Sequence, residues 1–119
     1  MADFDVIVVG SGMSGGWVAK EMCERGFKTA VIERGRAISP AEDYTDFIDP
    51  WDIEHLNRKT EKDKADHPVQ SNVYAFDAYT RQFWVNDNDH PYETADGKPF
   101  IWYRGYHEGG RSIMWGRQS

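Results

Sequence analysis

The sequence predicts an α/β fold built on an N-terminal βαβ unit, and three observations carry that expectation. Val6–Val9 is a continuous apolar, β-branched run, the pattern of a strand buried on both faces of a parallel sheet. Gly10-Ser11-Gly12-Met13-Ser14-Gly15 follows at once and opens a helical pattern. A second strand pattern, Lys28–Ile32, then ends in the acidic residue Glu33.

Each piece has a physical role. Gly10 lets the chain turn sharply out of the first strand. Gly12 has no side chain to keep a pyrophosphate away from the backbone. Gly15 lets the helix pack closely on the strand. The spacing predicts a helix over Ser14–Arg25, with Val18, Ala19, Met22 and Cys23 on its inner face and Lys20 and Glu21 outward. Ala19, one turn after Gly15, keeps that face close to the sheet, Trp17 is expected to pack, and Gly26 stands where a C-cap belongs. The free N–H groups and positive dipole end of such a helix suit phosphate, so Met13 and Ser14 are cofactor-binding candidates with the three glycines. A carboxylate at Glu33 accepts hydrogen bonds from a ribose hydroxyl, and Arg34 beside it joins the candidates. Together these features make a Rossmann-type dinucleotide-binding unit. An ordinary glycine turn in a βαβ unit would leave Glu33 and the three glycines unexplained.

The bulk composition narrows the partners. The chain has 119 residues and a net charge of −6, with a pI of about 5.1. Nucleic acid and anionic membrane surfaces are therefore not expected as partners. Mean hydropathy is −0.74, yet aromatics make up 14%, which argues against disorder. The single cysteine, Cys23, cannot form an internal disulfide, and no Cys/His spacing suggests zinc. No apolar run is long enough to span a membrane. The first strand begins within a few residues of Met1 and has no basic n-region, so no signal peptide is read and the cytoplasm is the expected location.

After Arg36 the character changes. Residues 37–50 are polar and broken by prolines, and read as loop. Residues 51–66 suit a short helix running into a solvated charged stretch. Val69–Val85 is rich in aromatics and reads as one or two short strands. Asn86–His90 and Ala95–Lys98 are turn signals, and Phe100–Tyr103 reads as extended. A connection of about 65 residues with so little regular structure is uncommon in a compact domain, so it is expected to be an inserted covering segment. His55, His67 and His90 lie in polar stretches and are expected to be exposed, and His107 lies beside paired glycines.

The C-terminal run, Arg104–Ser119, is RGYHEGGRSIMWGRQS. Gly109 and Gly110 permit close backbone approach to a flat or charged ligand. Ser112 supplies a hydroxyl, Trp115 an aromatic plane, and the arginines positive charge. Taken alone, the run also reads as a glycine turn into a strand or helix.

Together the two runs, VIVVGSGMSGGWVAKEMCERGFKTAVIERG and RGYHEGGRSIMWGRQS, resemble the N-terminal part of the glucose–methanol–choline (GMC) oxidoreductases. The resemblance covers both ends of the chain and leaves a variable middle. It implies FAD rather than NAD, with the first glycine motif on the pyrophosphate, Glu33 on the adenosine ribose, and Gly109, Gly110 and Ser112 near the flavin end. It also implies oxidation of alcohols by hydride transfer to the flavin. The GG-x-S-x-x-W form is similar to the branch of pyranose oxidases and bacterial sugar dehydrogenases, so a sugar, sugar acid or polyol is the expected substrate class.

The sequence departs from that pattern twice. Met114 stands where pyranose oxidases carry the histidine bonded to the flavin, so the FAD is expected to be non-covalent. The family's catalytic pair lies near the C-terminus of a chain several times this length, so no catalytic residue is assigned here. The sequence is expected to be a fragment of one FAD-binding domain, inactive alone and completed by the remainder of a longer chain. Its expected parts are a βαβ unit over 1–36, the covering segment over 37–103 and a second flavin-contact motif over 104–119. Two other functions fit the same residues: an NAD-dependent dehydrogenase domain, and a non-catalytic nucleotide-binding subunit completed by a partner chain.

Overall fold

Two strands, β1 (Val6–Val9) and β2 (Thr29–Ile32), pair in parallel with Val6 opposite Thr29 and Val9 opposite Ile32. Parallel neighbours need a crossover, and α1 (Met13–Glu24) supplies it. The computed structural model describes residues 3–45 and 48–115. The protein is a small mixed α/β chain with a two-stranded parallel sheet. It divides into two compact units, Met1–Ile38 with Tyr106–Ser119, and Ser39–Gly105.

In the first unit α1 ends as its sequence dictates. Gly26 has φ +86, its N–H donates to Cys23 O at 2.9 Å, and the Phe27 N–H donates to Met22 O at 3.1 Å. These two bonds make a Schellman ending, which needs a left-handed residue at that point. At the other end Gly15 fixes the fit of helix to strand. A Cβ there would lie 1.9 Å from Gly10 O and 3.4 Å from Val8 Cγ1.

Burial in this unit is thinner than the sequence predicts. Of β1 only Val8 is buried, and Val9 is 83% exposed. With two strands and one helix, each strand keeps an open edge and one sheet face has no layer packed on it among the described residues. The helix follows the same logic. Ala19 and Met22 are part-buried, but Val18 and Cys23 are exposed and Trp17 is 65% exposed. Trp17 instead carries the Lys20 ammonium over its ring at 5.2 Å. The expected inner face is thus only half engaged.

The second unit holds its own core, Phe76, Phe83, Trp84 and Val85. Phe76 meets Trp84 at 6.4 Å and His67 at 5.1 Å between ring centroids. Two short helices precede it, α2 (Pro40–Asp43) and α3 (Glu61–Asp66). The second starts with a capping box between Thr60 and Asp63. The strands expected within Val69–Val85 are not there. The segment makes tight 3-10 turns at Gln70–Asn72 and Thr80–Phe83. Side chains take the backbone groups a strand partner would have used. The Asp87 carboxylate accepts the N–H groups of Val69 and Gln70, while Asp77 and Thr80 cap each other. Phe100–Tyr103 pairs with no strand among the described residues, and the Tyr92 hydroxyl bridges it by donating to Phe100 O and accepting from Trp102 N. His67 is half-buried rather than exposed, its Nδ1 2.8 Å from Val85 O.

Arg104 and Asp87 form a buried ion pair at 3.3 Å in this unit. Gln70 ties both ends together: its Nε2 donates to Asp87 Oδ1 and its Oε1 accepts the Arg104 N–H. The Asp87 carboxyl titrates below its usual range. Burial pushes it up, and the hydrogen bonds from Gln70, Val69 and Arg104 more than offset this. No helix among the described residues is long and apolar enough to cross a membrane.

Candidate functional site

The site is built where β1 hands over to α1. Gly10 turns the chain with φ +90, a conformation that costs a side-chain-bearing residue. Gly12 is the N-cap of α1 and makes no side-chain cap bond, and the first turn contains no acidic residue. The first N–H groups of the helix have no intrahelical acceptor. Met13 and Ser14 lie in that turn and are exposed. The arrangement offers backbone donors and a positive dipole end to an anion.

The C-terminal run docks onto this turn. Arg36 and His107 form a parallel bridge, with the Glu108 N–H donating to Arg36 O at 2.8 Å. The two segments approach so closely that a Cβ on Gly35 would lie 2.1 Å from the His107 nitrogen. The run then turns. The Gly110 N–H donates to His107 O at 3.1 Å, and Gly109 takes φ +81, ψ −12, the third position of a type II turn. That turn sets Gly110 against Gly12, where a Cβ on residue 110 would stand 3.0 Å from Gly12 Cα. The two glycine motifs therefore share one backbone contact. The close side of the pair is Gly110, since a Cβ on Gly12 would meet Gly110 Cα at 3.9 Å, an ordinary contact.

Glu33, at the end of β2, faces the same turn. Its Oε2 accepts from both the Ser11 N–H and the Ser11 hydroxyl at 2.6 Å, and its Oε1 accepts from the Gly35 N–H at 2.8 Å. The Ser11 hydroxyl and the Gly35 and Ser11 N–H groups hold the carboxyl down to about 2, against a small opposing cost of burial. It is a fixed carboxylate at neutral pH. The expected ribose acceptor is thus already oriented by the protein. Arg34 turns away onto the ring of Tyr106, 3.9 Å from its centroid, a cation–π contact.

The remaining candidates are placed less centrally. The Ser112 hydroxyl donates to Gly109 O at 2.5 Å and braces the turn. Trp115 follows the 3-10 turn Gly110–Met114 and is 65% exposed. Arg117, one of the expected positive charges, lies outside the described residues. His107 is 2% exposed and sits between the bridge and the turn, its Nδ1 3.3 Å from Glu108 O.

Ser11 was not singled out by the sequence, and it lies at the centre. Its hydroxyl also accepts the Gly109 N–H at 3.0 Å. Its position between Gly10 and Gly12 was the available signal. Tyr106 and Gly35 were likewise not singled out. A groove of ≈ 570 Å³ in the second unit, lined by Asp52, Glu54, Asp77, Tyr79 and Arg81 among others, includes none of the expected site residues. No family model, curated protein or solved structure matches the chain.

Proposed function

We propose that the first unit is a Rossmann-type FAD-binding element of a GMC-type oxidoreductase, an enzyme acting on CH–OH groups of a sugar, sugar acid or polyol. The observation that carries this reading is the uncapped N-terminus of α1 beside a side-chain-free turn, with an ionised, pre-oriented Glu33 at the end of the neighbouring strand. This donor set fits the adenosine diphosphate half of a dinucleotide. Backbone N–H groups at Gly12, Met13 and Ser14 would hold the pyrophosphate, and the Glu33 carboxylate would accept from a ribose hydroxyl. Bound FAD would supply the hydride acceptor.

The chain's own residues bind and orient. Gly10 and Gly15 bring helix and strand together so that the donors converge. Gly109, Gly110, Ser112 and Trp115 form the second edge of the cradle, and Met114, a thioether, leaves the flavin non-covalent. The open sheet edges and the exposed Ile7, Val9 and Ile32 support further strands from a longer chain as the covering layer, and the catalytic base belongs to that part.

The adenosine half alone would serve NAD equally well, and paired glycines at 109–110 on the same turn favour FAD. Purification of the full-length protein with a bound yellow chromophore, released on denaturation, is the test. A colourless protein that binds NAD would support the second reading. Anaerobic addition of sugars and sugar acids should bleach the flavin; failure of every alcohol to do so would remove the GMC assignment.

A further inference from the structure

We propose that Ser11 is a positioning residue that couples the nucleotide end of the site to the docked Gly109–Gly110 segment, so that each is firm only when the other is. The inference rests on the function proposed above for the sense of the coupling, but its structural basis does not. A hydroxyl has one proton and two lone pairs. At Ser11 the proton is committed to Glu33 Oε2 at 2.6 Å, which turns a lone pair toward Gly109, whose N–H it accepts at 3.0 Å. The partners lie 22 residues downstream and 98 residues downstream. One side chain therefore ties the first turn, the end of β2 and the C-terminal run.

The direction of the proton gives the coupling its physical content. An ionised Glu33 can only accept, so the Ser11 hydroxyl must donate to it and is left as an acceptor for the amide of Gly109. Without an acceptor at residue 33, the hydroxyl is free to rotate, and the Gly109 amide loses an oriented partner. The same amide belongs to the turn that seats Gly110 on Gly12. By linkage, a ligand that steadies Glu33 steadies the C-terminal segment, and the reverse holds by the same factor.

The test reads Gly109 from a distance. Amide exchange is followed in the full-length protein, wild type, Ser11→Ala and Glu33→Ala, each with and without ADP, which carries the adenosine half alone; alanine, unlike glutamine, leaves no acceptor at residue 33. In the absence of ligand the Gly109 amide is expected to exchange at least tenfold faster in Ser11→Ala. It is also expected to exchange faster in Glu33→Ala, which does not touch it. Amides in the second half of α1 should keep wild-type rates in both. ADP should slow Gly109 exchange in the wild type and leave it unchanged in Ser11→Ala. Fast exchange in Ser11→Ala with wild-type exchange in Glu33→Ala would overturn the coupling and leave a local bond only. Should Ser11→Ala lose α1 protection as well, Glu33→Ala alone decides. If ADP binds no variant, the nucleotide function fails, while the ligand-free comparison still decides the coupling.

Discussion

Gly12 and Gly110 touch backbone to backbone: a Cβ added at residue 110 would stand 3.0 Å from Gly12 Cα. Gly110 is also held at φ +61, where an L side chain is strained by about 1–2 kcal/mol. Gly110→Ala is therefore expected to lift the segment from Tyr106 to Met114 off the first glycine turn without disturbing α1. Amide exchange should rise across that segment and stay low through the middle of the helix.

Gly15 governs a different contact. Its absent Cβ would meet Gly10 O at 1.9 Å, and that partner is backbone rather than a side chain able to swing away. Gly15→Ala should cost about 1–3 kcal/mol through overpacking. Denaturant unfolding checks it, with a lowered midpoint and an unchanged slope expected. Gly16→Ala is the control, since its nearest neighbour would be 3.7 Å away.

What was legible in the sequence was local. The strand, turn, helix and second strand follow from β-branched runs, glycine spacing and a helix cap, all settled within a few residues of one another. The ending at Gly26 belongs to the same class, whereas the capping box at Thr60, though equally local, was not singled out. The role of Ser11 was not legible, because both of its hydroxyl partners are remote in sequence. The expected strands in Val69–Val85 failed for a related reason. Aromatic and β-branched residues suit a pleated sheet, but here they pack on one another while Asp87, Asp77 and Thr80 take the backbone groups. Burial of β1 falls short of its pattern, since a continuous apolar run implies two covering layers and α1 supplies one.

Glu33 makes the fold sensitive to acid. Its folded value of about 2 lies below the ordinary 4.5, so its hydrogen bonds contribute fully above pH about 4.5. That contribution is lost as pH falls toward 2. Carboxyl titration followed by NMR should find Glu33 still ionised at pH 3. In Ser11→Ala its titration should move up, because the largest single influence holding it down is the Ser11 hydroxyl.

The Arg104–Asp87 pair should dominate the stability of the second unit. Both side chains are nearly fully buried, at 3% and 6% exposure. Asp87→Ala removes the carboxylate partner of a buried guanidinium and the acceptor for two N–H groups. A loss of about 3–5 kcal/mol is expected, read as a lower unfolding midpoint. Lys64→Ala breaks a surface pair with Glu61 and should cost less than about 1 kcal/mol.

The most direct measurement is ADP titration of the full-length protein followed by backbone amide NMR. If the first turn of α1 is a pyrophosphate site, the amides of Gly12, Met13 and Ser14 shift together on saturation. Glu33→Ala weakens binding roughly tenfold, about 1.4 kcal/mol, and FAD binds more tightly than ADP. Shifts absent from that turn, or ADP affinity indifferent to Glu33→Ala, would contradict the dinucleotide site.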